Sequence, residues 1–175
     1  VSVVDGPWTV TRTFDLYVVA QSYAGLVINE LLPDPNAGGG VHVDSNADGV
    51  NSTVQDEFVE VVNGTTGSLD LAGFQLHDGS SLRHVFAPRR LPPGGSMVVF
   101  GGGSIQHFVH QPAQVVSQGG VDGLGLANTG DRITLYSPAT TMVDQVTYAA
   151  APAGVSLTRY PDFTGGFTKH LQALA

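Results

Sequence analysis

The stretch DSNADGVNSTVQDE, residues 44–57, gathers hard oxygen donors more densely than any other part of the chain. Asp44, Asn46 and Asp48 alternate with small residues and Gly49 follows directly, which reproduces the D-x-[DN]-x-D-G register of a calcium loop. This spacing lets three side-chain oxygens converge on one hard cation while the glycine takes the sharp turn. Val50 then offers a backbone carbonyl, and Ser52 stands where a bridging water is held. The end of the pattern departs from an EF-hand, because Gln55 takes the closing position and the carboxylates follow it at Asp56 and Glu57. One Ca²⁺ is expected, bound by Asp44, Asn46, Asp48, the Val50 carbonyl and Asp56 or Glu57. Magnesium fits less well, since a loop offering many oxygens suits the larger ion.

Charge density points the same way. Of the 15 acidic residues, Asp44, Asp48, Asp56, Glu57 and Glu60 fall within residues 44–60, with Glu30 and Asp34 nearby. Carboxylates packed so closely repel one another without a cation. The competing reading is a solvated loop of Asx turns, because Asp and Asn are ordinary turn residues.

Other chemistry finds no complete set. His107 and His110 stand three apart without a neighbouring carboxylate, and no H-E-x-x-H occurs. His42, two residues before the loop, reads as its neighbour and not as a ligand. The serines of GGS (94–96) and GGGS (101–104) lack a G-x-S-x-G elbow, and the glycine runs at 38–40 and 101–103 lack the lysine and helix of a phosphate cradle. Asp131 and Asp144 could be imagined as glycosidase carboxylates, but such pairs arise by chance. With no cysteine there is no thiolate nucleophile, disulfide or zinc-thiolate site. Arg89 and Arg90 read as an exposed corner. No residues fill the roles of a reaction, so the chain is not expected to be an enzyme.

The elements that position the loop read as strands. Residues 8–19 alternate with period two and predict one long strand. Further strands are expected near 26–29, 57–63, 73–78, 83–88, 96–102, 131–138, 141–150 and 155–160, separated by glycine- and proline-rich turns such as LPPGG (91–95). Residues 34–56 form a long polar insert without core-forming periodicity, of the kind that tends to be functional. Many short strands with almost no helical period indicate an antiparallel sandwich or barrel. Val27, Val61, Phe74, Leu76, Val98, Phe100, Ile133 and Leu135 are the expected core.

Composition agrees. The chain has 175 residues, within the roughly 100–200 of a single domain. Its 23 glycines and 10 prolines disfavour long helices, and only 13% of residues are charged. A net charge of −8 with seven basic residues disfavours direct nucleic-acid binding. No apolar run reaches the ~18 residues of a membrane span. The start at Val1, without a basic leader, reads as an excised piece or mature chain.

In order, the blocks VINELLPDP, DEFVEVVN, LDLAGFQLHDG, LPPGGSMVVFG, LANTGDRITLY and VSLTRYPDFTGGF resemble the bacterial branch of the lamin tail domain family, over roughly residues 25–168. The resemblance implies an immunoglobulin-like β-sandwich without catalytic residues, in a secreted or cell-surface bacterial protein and often appended to enzyme domains. The expected organisation is an all-β sandwich over 25–175 carrying the calcium loop, with residues 1–24 an N-terminal extension, edge or linker strand. Two functions compete. One is a non-catalytic extracellular calcium-binding module serving adhesion, scaffolding or the positioning of an attached enzyme through a protein partner. The other is a structural subunit that self-associates by adding the strand at 8–19 to a neighbour's sheet edge.

Overall fold

The computed structural model of the chain describes residues 2–5, 8–11, 22–38, 41–79, 81–109, 111–116 and 123–170. Strands form where β-branched and aromatic residues alternate, and they stop at glycine, proline and Asx residues. The first half contains β1 (Ser2–Asp5), β2 (Trp8–Thr11), β3 (Leu26–Leu32), β4 (Asn36–Gly38), β5 (Val41–His42), β6 (Phe58–Asn63), β7 (Leu69–Asp70) and β8 (Gln75–Asp78). Then follow β9 (Ser81–Val85), β10 (Arg90–Leu91), β11 (Ser96–Phe100), β12 (Ala113–Val115), β13 (Asp131–Tyr136), β14 (Met142–Tyr148), β15 (Leu157–Tyr160) and β16 (Gly166–Lys169). One sheet has the order β12-β11-β6-β3-β15-β16 and the other β14-β13-β8-β9, with two-stranded ribbons β1-β2, β4-β5 and β7-β10 beside them. Pairing is antiparallel except between β11 and β12, which run parallel. This is the expected two-sheet sandwich. No helix among the described residues is long and apolar enough to cross a membrane.

The core lies between the sheets. Leu26, Ile28 and Leu31 of β3, Val59 and Val61 of β6, and Met97 and Val99 of β11 meet Leu76, Ile133, Leu135 and Val146 of the smaller sheet. Tyr23 packs edge-on against Phe74 with ring centres 4.9 Å apart, so the sandwich begins before residue 25. Of the expected core residues, Val61, Phe74, Leu76, Ile133 and Leu135 belong to this cluster. Val98 and Phe100 are buried too, but on the other face of β11, where Phe100 meets Phe58 and Phe108. Val27 is half-buried and lies outside the cluster. Strand parity separates two faces without saying which one the second sheet covers, and here the outer face of the larger sheet is partly covered as well.

Polar clasps join the layers. β3 has a register shift between Ile28 and Glu30, and there the Ile28 N–H donates to Asp144 Oδ2 of β14 at 2.8 Å. Arg159 of β15 donates to the same oxygen at 3.0 Å. Asp144 therefore ties one sheet to the other, while Asp131 accepts the Ala127 and Arg132 N–H groups. At another margin, His84 of β9 and Gln114 of β12 approach to 2.9 Å and bridge the edge strands of the two sheets.

Two stretches singled out in the sequence take the following form. The polar insert at 34–56 carries the β4-β5 ribbon, and Asn46 and Asp56 within it are fully buried. The long strand expected over 8–19 is described over Trp8–Thr11 only, where it pairs with β1 as a hairpin. The rest of that stretch, residues 12–19, lies outside the described residues.

Candidate metal centre

The loop leaves the β4-β5 ribbon at His42 and returns to the larger sheet at Phe58. Two left-handed residues shape it, Ala47 at φ 60° and Gly49 at φ 83°. Glycine adopts that conformation at no steric cost, whereas for alanine it is uncommon and must be held by its surroundings. The side chains around it do this. Asp44 accepts the Asp48 N–H at 3.1 Å through Oδ1 and the Gly49 N–H at 2.9 Å through Oδ2. Asn46 Oδ1 also accepts the Asp48 N–H, at 3.0 Å, so Asp44 and Asn46 bring oxygens to one point of the chain. Asp48 in turn accepts the Val50 N–H at 2.8 Å and, from across the molecule, the Ser104 N–H at 3.0 Å.

Asp56 closes the loop. Its Oδ1 accepts the Ser45 N–H at 3.1 Å and its Oδ2 the Ser52 N–H at 2.8 Å, while the Ser45 hydroxyl donates to its carbonyl. Burial pushes the Asp56 carboxyl up from the usual carboxylate range, against the pull of the Ser52, Asn46 and Ser45 N–H groups, and the charge of Asp44 adds to the rise. Asp48 is held below that range, first by the Ser104 N–H and then by that of Val50.

Glu57 is not brought to this group. Side chains alternate as the chain enters β6, so Glu57 shares the inner face with Val59 and Val61. Its Oε2 accepts the Leu126 N–H at 3.4 Å, and burial pushes its carboxyl up to about 8 despite that N–H and the nearby Arg83. Val50 is exposed at the tip of the loop.

The loop rests on the glycine run at 101–103, whose role the sequence reading missed. A Cβ at Gly101 would strike the Val54 carbonyl, and one at Gly103 would strike Asn46 and Asp48. One at Gly102 would come within 2.8 Å of the Gln55 side chain. The Asn46 amide also donates to the Gly102 carbonyl at 3.2 Å. Three consecutive glycines at the end of a strand are a visible signal of close backbone approach, but what approaches Ser104 stands 56 residues earlier in the chain.

The accepting side chains of the loop all do so through oxygen, the Asp44, Asp48 and Asp56 carboxylates and the Asn46 amide, the chemistry that suits a hard divalent cation. Asp44 Oδ1 and Oδ2 each accept one backbone N–H and keep a second lone pair, whereas Asp56 Oδ1 accepts from both the Ser45 and the Asn46 N–H groups. Among the described residues no three carboxylate or imidazole side chains gather as a metal cluster, so a cation here would also draw on Asn46 and main-chain carbonyls. His42 stays beside the loop, and its Nδ1 is buried without a hydrogen-bond partner among the described residues. His107 is exposed, while His110 lies outside the described residues. Arg89 and Arg90 form the expected exposed corner.

The family model described as Lamin Tail Domain matches residues 19–150. Among curated proteins, none matches the chain significantly.

Proposed function

This chain belongs to the lamin tail domain family, and from that premise we propose that it is a non-catalytic interaction module of an exported bacterial protein, stabilised by one bound calcium ion. The family is one of immunoglobulin-like structural domains, which supports a binding or positioning role over a reaction. The observation that carries the calcium reading is the convergence of Asp44 and Asn46 on the Asp48 N–H, in a loop bent by Ala47 and Gly49. Asp44, Asn46, Asp48 and the Val50 carbonyl are the proposed ligands, with Asp56 closing the set in place of Glu57. The bound ion supplies positive charge to carboxylates that otherwise repel. Fluids outside the cell hold enough calcium for sites of this kind, whose Kd is commonly about 10⁻⁴–10⁻³ M. Such a module serves adhesion, scaffolding or the positioning of an attached enzyme.

The test is a set of melting curves in millimolar calcium and in chelator. With calcium about tenfold above Kd, mass action adds roughly 1.4 kcal/mol to the wild type. Asp48→Ala should lose most of that gain, and Asp70→Ala, on an exposed ribbon outside the loop, should keep it. A wild-type midpoint unchanged between calcium and chelator would show that the loop is held by its Asx turns alone.

A further inference from the structure

We propose that a cleft on the outer face of the six-stranded sheet receives the cationic side chain, lysine or arginine, of a protein partner. The charge would sit at Glu30 and Glu60 and the stem along an aromatic wall. Two adjoining cavities of about 200 and 310 Å³ share these two glutamates in their lining. Glu30 of β3 and Glu60 of β6 are direct cross-strand partners, an arrangement in which like charges destabilise a sheet. Their hydrogen-bond partners are side chains other than lysine and arginine. The Asn29 amide donates to Glu60 Oε1 at 3.2 Å, the Gln111 amide to Oε2 at 2.9 Å, and His170 Nδ1 lies 2.7 Å from Glu30 Oε1.

Among the described residues, no lysine or arginine forms an ion pair with either glutamate. Arg159 lines the larger cavity, but its guanidinium is engaged with Asp144, the Ile28 carbonyl and the Gly165 carbonyl. Among the described residues the carboxylate pair therefore has no permanent cation beside it: His170, at 2.7 Å from Glu30, carries charge only when protonated, and nothing basic pairs with Glu60, in a molecule of net charge −8.

The smaller cavity sets the shape of the ligand. Phe58, Phe100 and Phe108 line it beside the glutamates, an apolar wall for the methylene stem of a long basic side chain and an aromatic surface for its charge. A bare metal ion would leave that wall unused, and no group of three carboxylate or imidazole side chains gathers here. Burial, with the charge of Glu30 added, pushes the Glu60 carboxyl up, so a bound cation would also favour its ionised form. This inference rests on the reading of the chain as an interaction module but not on calcium.

The test uses a capped tetralysine peptide and its fully acetylated form, titrated into the isotope-labelled chain both in calcium and in chelator. Tetralysine should give saturable shifts at the amides of Glu30, Glu60 and Phe100, and the acetylated form should give none. Glu60→Gln should weaken binding about tenfold or more, the scale of a charged hydrogen bond, while Asp70→Asn should change it by less than roughly twofold, as for a surface charge. No saturable shift under either condition would overturn the proposal, as would equal weakening by both variants or binding of the acetylated peptide. The acetylated arm uses the wild type and so decides the matter even where a variant folds poorly. Binding of equal strength in calcium and in chelator would support the cleft, and the calcium reading would stand or fall separately on the melting curves.

Discussion

Asp56 and Glu57 are neighbours in sequence with different surroundings, because successive side chains entering β6 point to opposite faces. Asp56 is wrapped by N–H groups of the loop, whereas Glu57 is carried inward beneath Leu126. Residue types and spacing alone made both of them candidates to close the calcium loop, and only the phase of β6 separates them. Glu57 also makes a testable statement about pH. Its pKa, pushed up to about 8 from the ordinary 4.5, means that the fold favours the protonated carboxyl. Its contribution to stability is complete below pH 4.5 and is lost as pH rises through about 8. Glu57→Gln keeps the neutral shape, so its melting midpoint should fall less than that of the wild type across this window. Equal slopes for the two proteins would show that Glu57 is ionised in the fold.

At the scale of elements, the long strands were legible because period-two alternation ran between strong turn residues. β6, β11, β13 and β14 lie within two residues of their expected ends. The ribbons β4-β5 and β7-β10 and the short β12 were not legible, since elements of two or three residues carry no periodicity. Their pairing comes from backbone groups brought together by the rest of the fold. The same holds for the seat of the loop at 44–56, where glycines after β11 receive a segment that precedes β6. Gly101→Ala would drive a methyl group into the Val54 carbonyl and force the loop outward. Urea unfolding should show a loss of about 1–3 kcal/mol, the usual cost of overpacking, with weaker calcium binding alongside. Unchanged stability and calcium affinity in that variant would mean that the loop does not depend on this seat.

Across the whole molecule, the all-β sandwich and its family could be read from ordered blocks such as VINELLPDP and DEFVEVVN. The assignment of buried residues to faces could not, because β11 buries Met97 and Val99 on one side and Val98 and Phe100 on the other. The cleft at Glu30 and Glu60 was equally hidden, since it depends on the register of β3 against β6 and on a connection that returns Phe108 and Gln111 over the sheet. The proposed calcium ion would act at all three levels, ordering the loop and, through the Ser104 N–H that Asp48 accepts, the connection after β11. The most direct measurement is a calcium titration followed by amide resonances. Gly49, Val50 and Ser104 should shift together along one single-site saturation curve, and Asp48→Ala should abolish the response at all three. Amides that stay unmoved through millimolar calcium, or a Ser104 resonance indifferent to an ion that shifts Gly49, would contradict that role of calcium.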